Sequence, residues 1–271
     1  SVIKVEEGVS SARVVERLEL TGIVKTAWPL AFIMKILHKE KDIKSGDYVF
    51  NKPLSAFGVA MRIIKGDFNV KMTKVTVKEG STVKDIAEIF SSFENFNKEN
   101  FLTATKNIEG YLFPDTYFFS SYAGTDEIIK AMRNNFKNKV GDIGPEAVIM
   151  ASLIEKEVAD KSDRRIISGI LWKRLNIGMP LQVDAVFPYI IGKKSFELTP
   201  EDLKVDSPYN TYLYKGLPPY PICNPGLDAI EAALNPADSA YFYYLSDKDG
   251  NTHYAVSLDE HKINKRKYLL N

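Results

Sequence analysis

Short strand signals and short helix signals are interleaved along this chain. The alternating, β-branched run at 74–78 predicts a strand, and the glycine and serine at 80–81 predict a turn whose serine caps a helix. Apolar residues at helical spacing over 83–90 predict that helix. A fainter copy of the strand and turn begins at Lys4. Strands and helices in this arrangement predict a mixed α+β fold.

A change in composition in the first half of the chain predicts two domains. Residues 91–107 are polar with scattered phenylalanine, whereas proline, tyrosine and asparagine become frequent from Ile108 onward. We therefore expect an N-terminal region at 1–104 and a larger domain at 105–271.

Two helices and a long run of loops are predicted in the larger domain. One helix begins at Pro145 and extends to about Ala159, and the other begins after Ser162. The stretch 179–235 is rich in proline and predicts loops. Loops of this length in a compact domain are usually functional, so we expect binding residues there.

The composition excludes several classes of protein. The chain has 271 residues, of which 45% are hydrophobic and 26% are charged, so it is globular and long enough to bury a large core. Its 36 Lys and Arg residues against 35 Asp and Glu residues give a net charge of +1, which provides no electrostatic reason to expect a nucleic-acid partner. No apolar run approaches the roughly 18–20 residues of a membrane span.

Metal and cofactor motifs are missing from the sequence. His38, His253 and His261 do not have metal-ligand spacing, and Cys223 has no second cysteine for a disulfide or a metal site. The sequence contains no dinucleotide-binding glycine motif, phosphate loop or nucleophile elbow. We therefore expect neither a metal nor a cofactor.

Glu155 is the carboxylate of the first predicted helix that best suits a general acid. The side chains that share its face, three and four residues away, are Ala151, Ser152, Val158 and Ala159. A small apolar face without a local cation disfavours a charged carboxylate, which suits an acid that must be protonated near neutral pH. The competing interpretation is a structural glutamate paired with a distant residue such as Arg174, and spacing alone favours it. Glu157 has Lys161 four residues later, so we expect a surface ion pair there.

Gln182 and Asp184 are the first candidates for substrate binding in the loops. They stand two apart in an extended segment, so both side chains point to the same side. An amide and a carboxylate there could bind hydroxyl or acetamido groups of a sugar, and ordinary turn chemistry explains them equally well.

Tyr209, Asn210, Thr211 and Asn224 are the other candidates. Tyrosine rings stack on sugar faces, and an asparagine amide offers both a donor and an acceptor. A capped turn is the favoured interpretation of Thr211. Asn224 precedes a proline and a glycine, a turn signal that could present the asparagine to a cleft.

Six motifs in a fixed order carry a family resemblance. They are Glu-Gly-Tyr-Leu-Phe-Pro-Asp-Thr-Tyr at 109–117, Ala-Ser-Leu-Ile-Glu-Lys-Glu at 151–157, Arg-Leu-Asn-Ile-Gly-Met-Pro-Leu-Gln-Val-Asp at 174–184, Tyr-Asn-Thr-Tyr at 209–212, Gly-Leu-Pro-Pro at 216–219 and Asn-Pro-Gly at 224–226. Together they resemble the YceG-like (MltG) family of endolytic murein transglycosylases. The resemblance covers about 109–269. The strand, turn and helix at 74–92 are similar to a LysM module, which the family carries before its catalytic domain.

The resemblance implies an enzyme that cleaves the glycan strands of peptidoglycan internally and ends the elongation of nascent strands. The family's catalytic glutamate maps onto Glu155, which reverses the preference for a structural role. Glycan strands are the implied partner, and wall-synthesis enzymes are possible further partners. The family faces the periplasm from the bacterial inner membrane, held by one N-terminal helix. We expect that this helix was removed before Ser1.

The implied reaction needs one acid and base carboxyl. Protonated Glu155 would donate to the oxygen between MurNAc and GlcNAc, and the MurNAc C6 hydroxyl would close on C1 to leave a 1,6-anhydro end. Two alternatives remain open. A hydrolase would use Glu155 with Asp184 as a second carboxylate, and a wall-binding scaffold would bind glycan without cleaving it.

Overall fold

The structure is a computed structural model that describes residues 2–39, 42–51, 54–69, 72–158 and 160–269. The chain forms two compact units. The first consists of 1–74 with 118–123, and the second consists of 75–117 with 124–271. These units are defined by contacts within the chain, so the division by function at 104 and 105 stays a prediction.

The first unit is built from short helices packed on one strand pair. Its elements are β1 (Val2–Val5), α1 (Ser11–Leu20), α2 (Ala27–Ile36), β2 (Gly46–Val49) and α3 (Ala56–Lys65). β1 and β2 pair antiparallel, with Val2 opposite Val49. The fully buried side chains Leu18, Leu30 and Tyr48 lie in the core of this unit.

The remaining elements belong mainly to the second unit. They are β3 (Met72–Thr76), α4 (Val83–Ile89), α5 (Lys98–Thr105), β4 (Thr116–Ser120), α6 (Thr125–Val140), α7 (Pro145–Glu157), α8 (Lys161–Asn176), α9 (Phe187–Ile191), α10 (Leu227–Leu234), β5 (Tyr243–Ser246), β6 (Thr252–Ala255) and α11 (Leu258–Leu269). β3 pairs with β4, and β5 pairs antiparallel with β6. Helices combined with small two-stranded sheets confirm the expected α+β class.

The faint sequence repeat corresponds to a shared local geometry. After β1 the chain turns at Gly8, whose φ is 77°, and Ser10 caps α1. After β3 the chain turns at Gly80, whose φ is 76°, and Thr82 caps α4. The prediction that Ser81 caps this helix is wrong by one residue, because the Thr82 side chain forms a reciprocal capping box with Asp85. The likeness of this segment to a LysM module stays a prediction.

α7 is the central element of the second unit. Every residue from Ala147 to Ile154 is buried, and the helix packs against α10 and α8. A helix that is apolar on all sides requires neighbours on all sides. Its charged residues are therefore confined to its ends, and the one polar side chain in between, Ser152, is hydrogen-bonded to the Ile149 carbonyl and the Ile222 backbone N–H. α7 begins at Pro145, as predicted, and its predicted last residue, Ala159, lies outside the described residues.

α8 begins two residues earlier than predicted. The Asp160 side chain accepts a hydrogen bond from the Ser162 backbone N–H at 2.8 Å and so caps the helix, which begins at Lys161.

Among the described residues, no helix is both long enough and apolar enough to cross a membrane.

We predict that Gly169→Ala destabilises the chain. Glycine inside a helix ordinarily costs about 0.5–1 kcal/mol relative to alanine, so the substitution should help. A Cβ on Gly169 of α8 would, however, lie 2.0 Å from the backbone oxygen of Ala237. We expect a net loss of about 1–3 kcal/mol in the free energy of unfolding, measured by urea denaturation.

Gly58→Ala is the matched control for this substitution. Gly58 also lies in a helix, α3, but its added Cβ would be no closer than 3.5 Å to its nearest neighbour. This variant should be neutral or slightly stabilised. Equal effects of the two substitutions would contradict the close approach of α8 to Ala237.

Candidate active site

Glu155 forms an ion pair in the last turn of α7. The Arg164 Nη2 donates to Glu155 Oε1 at 3.0 Å, and the Gly226 backbone N–H donates to Oε2 at 2.9 Å. The two side chains are only 7% and 6% exposed. The cation does not come from the residue's own helix face but from α8, where Arg164 lies nine residues along the chain, so the structure holds a pairing of the kind that the competing interpretation expected. Both carboxyl oxygens therefore accept hydrogen bonds in this structure.

Arg174, which the competing interpretation named as the partner of Glu155, is the wrong residue. Arg174 instead donates to two backbone oxygens, that of Phe242 at 2.8 Å and that of Leu181 at 2.6 Å. It thereby holds the segment before Gln182 against the strand region of the second unit.

Glu157 has an environment that the sequence did not indicate. The predicted surface ion pair with Lys161 is wrong, because Lys161 pairs with Asp228. Glu157 is half-buried, and its Oε1 accepts a hydrogen bond from the Tyr244 hydroxyl at 3.2 Å. Burial, reinforced by the charge of Asp184, raises the pKa of Glu157 to about 7. This carboxyl is therefore protonated in a large fraction of molecules at neutral pH.

The Glu157 side chain lines a cavity of about 520 Å³ in the second unit. The side chains around it combine carboxyls, cations, phenols and an amide. They include Glu157, Arg174, Gln182, Asp184, Tyr212 and Tyr244. The cavity therefore joins a titratable acid to several groups that can bind sugar hydroxyls.

Gln182 and Asp184 reach this cavity from the loop after α8. Gln182 has a φ of 51°, a left-handed conformation that is unusual for a residue with a side chain. Such strain persists only when surrounding contacts enforce it, and it clusters at functional sites. Asp184 accepts a hydrogen bond from the Tyr212 hydroxyl. Two of the predicted binding residues thus lie beside Glu157.

Asn210 and Thr211 are buried in the structure and hold the loop together. The Asn210 amide donates to the backbone oxygens of Leu203 and Val205, at 3.0 and 2.9 Å. The Thr211 hydroxyl accepts from the Val183 backbone N–H at 2.9 Å, and the Thr211 carbonyl accepts from Gln182 N–H at 3.1 Å. Thr211 therefore holds the backbone at 182–183 in place, and Asn210 stabilises the loop that carries Thr211. Neither residue is among those that line the cavity.

Tyr209 is not among the residues that line the cavity. Its ring packs against that of Tyr189, with 5.0 Å between the ring centroids. Tyr209 is half-buried and packs against the hydrophobic core of the second unit.

Asn224 is fully buried, and its side chain hydrogen-bonds to three segments that are distant in sequence. Its Oδ1 accepts from the Leu112 backbone N–H at 2.9 Å, and its Nδ2 donates to the Ser81 carbonyl at 3.0 Å and to Glu109 Oε1 at 2.8 Å. Asn224 therefore does not face a cleft. It fixes the turn whose Gly226 binds Glu155.

Glu109 is a buried carboxyl that sequence reasoning missed. Its oxygens accept the Val83 backbone N–H, at 3.1 and 3.2 Å, at the start of α4. Burial raises the pKa of Glu109 to about 7, although its hydrogen bonds from Val83 and Asn224 oppose that shift. Its partners lie 26 and 115 residues away, so no local sequence pattern reveals it.

The described residues contain no group of three or more His, Cys, Asp or Glu side chains that could hold a metal ion. Glu157, Asp184 and the tyrosine hydroxyls around the cavity are groups that can transfer protons or form hydrogen bonds.

Glu157, a carboxyl whose pKa burial raises to about 7, lies in a cavity with polar walls, an arrangement suited to acid–base chemistry. The YceG-like family matches residues 3–267, and the chain belongs to that family. A putative yceG-like protein of Listeria monocytogenes has a similar crystal structure, with a TM-score of 0.62, 27% sequence identity, and coverage of 97% of this chain and 98% of that one.

Two curated relatives are each named as an endolytic murein transglycosylase. That of Bacillus subtilis strain 168 is 30% identical over 307 residues, which cover 98% of this chain and 84% of the relative. That of Streptococcus pneumoniae strain D39 is 28% identical over 320 residues, which cover 98% of this chain. The chain spans only 58% of the length of the pneumococcal relative.

We predict that Glu109 makes stability depend on pH. Its folded pKa of about 7 lies above the usual 4.5, so the folded chain holds the proton more tightly than the unfolded chain. The stability that this proton provides is complete below pH 4.5 and is lost as the pH rises through about 7. One such group changes the free energy of unfolding by at most about 1.4 kcal/mol per pH unit.

Urea denaturation across this pH range tests the prediction. Glu109→Gln should fall in stability less steeply than the unmodified chain, whereas Glu231→Gln, an exposed control on α10, should follow the unmodified chain. Glu157 has a similarly raised pKa and should leave a residual slope. Identical slopes for the two variants would count against a protonated, buried Glu109.

Proposed function

We propose that this chain is an endolytic murein transglycosylase that cleaves peptidoglycan glycan strands between MurNAc and GlcNAc. Relatives that carry this name align over 98% of the chain, and the family match covers 3–267. The observation that carries the chemical proposal is Glu157, a carboxyl with a pKa of about 7 in a cavity with polar walls. A transglycosylase of this kind needs an acid that is protonated near neutral pH.

In the proposed reaction Glu157 acts first as an acid and then as a base. The protonated carboxyl donates to the oxygen between MurNAc and GlcNAc, and positive charge develops at C1 of MurNAc. The carboxylate so formed accepts the proton of the MurNAc C6 hydroxyl, which closes on C1. The products are a free GlcNAc end and a 1,6-anhydroMurNAc end, and no water is consumed.

The surroundings of Glu157 suit both halves of this cycle. The Tyr244 hydroxyl binds one carboxyl oxygen and orients it. The charge of Asp184 favours the protonated form before cleavage, and Arg174 lies close enough to stabilise the carboxylate afterwards. Gln182, with its side chain exposed in the cavity, can hold the sugar so that its own hydroxyl is close to C1. Holding two reacting groups together in this way contributes a large effective concentration.

Assigning the acid to Glu157 moves it two residues from the position that the family resemblance gave. Glu155 accepts hydrogen bonds on both oxygens, from Arg164 and from Gly226, and it is not among the residues that line the cavity. We infer that Glu155 is a positioning residue that joins α7, α8 and the turn at 224–226.

Membership of the family also suggests roles for the two parts of the chain and a location for the parent protein. Residues 105–271 would form the catalytic part, and the LysM-like segment at 74–92 would bind the glycan. The parent protein would work at the outer face of the bacterial inner membrane, on the periplasmic side, held by an N-terminal helix, with wall-synthesis enzymes as possible partners. The relatives' name supports a cell-wall substrate.

We predict that Glu157→Gln abolishes cleavage and that Glu155→Gln does not. Loss of a general acid should lower kcat by a factor of about 10²–10⁴. Glutamine at 155 can still accept the Gly226 N–H, so this variant should lose stability but keep most of its activity. Digestion of intact peptidoglycan with mass spectrometry of the products measures both outcomes.

Three results would revise the assignment in different ways. Loss of activity in Glu155→Gln alone, with Glu157→Gln active, would return the acid to Glu155. Reducing ends in place of anhydro ends would identify a hydrolase. Binding of peptidoglycan by the unmodified chain without any products would identify a scaffold.

We predict that Asp184→Asn shifts the pH profile toward lower pH. The charge of Asp184 helps to raise the pKa of Glu157, so its removal should lower that pKa from about 7. Because the acid must be protonated, kcat/KM should then begin to fall at a lower pH as the pH rises. Steady-state rates across the pH range measure the shift. Asp228→Asn, which removes the partner of Lys161, is the control and should leave the profile unchanged.

A complete loss of activity at every pH in Asp184→Asn would contradict this role. It would indicate that Asp184 is itself a second catalytic carboxylate, as in a two-carboxylate hydrolase.

A further inference from the structure

α2 in the first unit carries apolar side chains on opposite faces. Leu30 and Met34 are buried in the core of that unit. On the other face, Trp28, Phe32 and Ile36 are 69%, 55% and 58% exposed. These three residues are spaced by four and therefore form one stripe along the helix. A helix that is apolar on both faces normally has an apolar neighbour on each.

The exposed stripe is a continuous surface. The rings of Trp28 and Phe32 meet edge to face, with 5.8 Å between their centroids, and Leu37, just after the helix, is also exposed. Single exposed apolar residues are common, whereas a cluster with an aromatic pair usually marks a contact surface. We call Trp28, Phe32 and Ile36 the outer face of α2.

The charged side chains of the segment 21–39, which contains α2, are basic: Lys25, Lys35 and Lys39, with no aspartate or glutamate. Lys39 pairs with Asp42, just beyond the segment, so Lys25 and Lys35 are the cations considered below. Lys35 follows Trp28 by two helical turns and so lies on the same face, and both Lys25 and Lys35 are exposed. Lysine beside tryptophan and phenylalanine is typical of helices that lie in the interface of an anionic membrane.

We propose that the outer face of α2, with Lys25 and Lys35, binds the surface of a membrane that contains anionic phospholipid. The ten-residue helix is about 15 Å long, far short of the roughly 30 Å hydrocarbon core. It can therefore lie along the interface but cannot cross it. Trp28 and Phe32 enter the acyl boundary, and the lysine stems extend toward the headgroup phosphates.

A second copy of the chain fits this surface less well. A twofold contact places the same patch on both sides, so Lys25 and Lys35 would face cations of the partner. With no acidic residue in 21–39, that segment itself offers nothing to neutralise them. An anionic lipid surface satisfies the apolar stripe and the lysines together.

Vesicle flotation with the full chain tests the proposal. We expect the chain to float with vesicles of equal parts phosphatidylglycerol and phosphatidylcholine and to remain unbound with phosphatidylcholine alone. Replacing the three outer-face residues together (Trp28→Ser, Phe32→Ser, Ile36→Ser) should weaken binding at least about 10-fold, the effect of one to two lost apolar contacts. All three are exposed, so the fold should persist, and circular dichroism checks that.

A second variant and a matched control separate charge from apolar contact. Lys25→Gln with Lys35→Gln should weaken binding to the anionic vesicles and reduce its dependence on salt. The control replaces three equally exposed apolar residues elsewhere (Ile177→Ser, Phe196→Ser, Ile263→Ser) and should bind as the unmodified chain does. Cleavage of soluble glycan should be unchanged in the outer-face variant.

Several outcomes would overturn the proposal. They are failure to bind anionic vesicles, equal binding to phosphatidylcholine alone, or undiminished binding by the outer-face variant. A dimer in light scattering that only the outer-face variant loses would assign the surface to a second copy. Loss of binding to insoluble peptidoglycan in that variant, with no vesicle binding by the unmodified chain, would assign it to glycan.

Discussion

The burial of α7 on every side is the constraint on which the rest of the second unit depends. Eight consecutive buried residues, 147–154, leave no exposed surface for charged side chains within the helix body. The charged residues of its sequence are therefore confined to the first and last turns. The last turn lies where α8, the loop at 182–184 and the strand region converge. The site thus forms at the end of a helix whose body is held by packing on all sides.

Two glutamates two residues apart in that turn have opposite environments. Glu155 turns toward α8 and meets a guanidinium and a backbone N–H, so its charge is compensated. Glu157 turns toward the cavity and meets a phenol and the field of another carboxylate. It is also the last residue of α7, where the helix dipole disfavours a negative charge. A rotation of about 200° around one helix axis therefore separates an ion-paired carboxylate from a carboxyl whose pKa is raised to about 7.

Local patterns in the sequence predicted the elements well. The proline start of α7, the strand with its glycine turn before α4, and the α+β class all follow from spacing and turn chemistry within a few residues. The cap of α4 was displaced by one residue because Ser81 and Thr82 are both good caps, and only the pairing with Asp85 distinguishes them.

The site was harder to predict because its partners are distant in sequence. Spacing of three and four residues describes neighbours on one helix, so it could not reveal that Arg164 reaches Glu155 from α8. Asparagine in a turn looks the same whether its amide is free or bound, and Asn210 and Asn224 are fully bound inside the fold. Gln182 and Asp184 both line the cavity, but the extended segment expected there is not present, because Gln182 is left-handed and Asp184 begins a 3₁₀ turn.

The hydrogen bonds of Asn224 bear on how this protein could have been assembled from parts. The strand, turn and helix at 75–90 read as a separate binding module in the sequence. Yet its Gly80 and Ser81 share backbone hydrogen bonds with Asn224, and Glu109 ties the start of α4 to the same amide. If this segment were transferred alone to another protein, it would lose its hydrogen bonds to Asn224 and Glu109. Its turn, Glu109 and the turn at 224–226 have to be inherited together, as one folding unit with three separate stretches of chain.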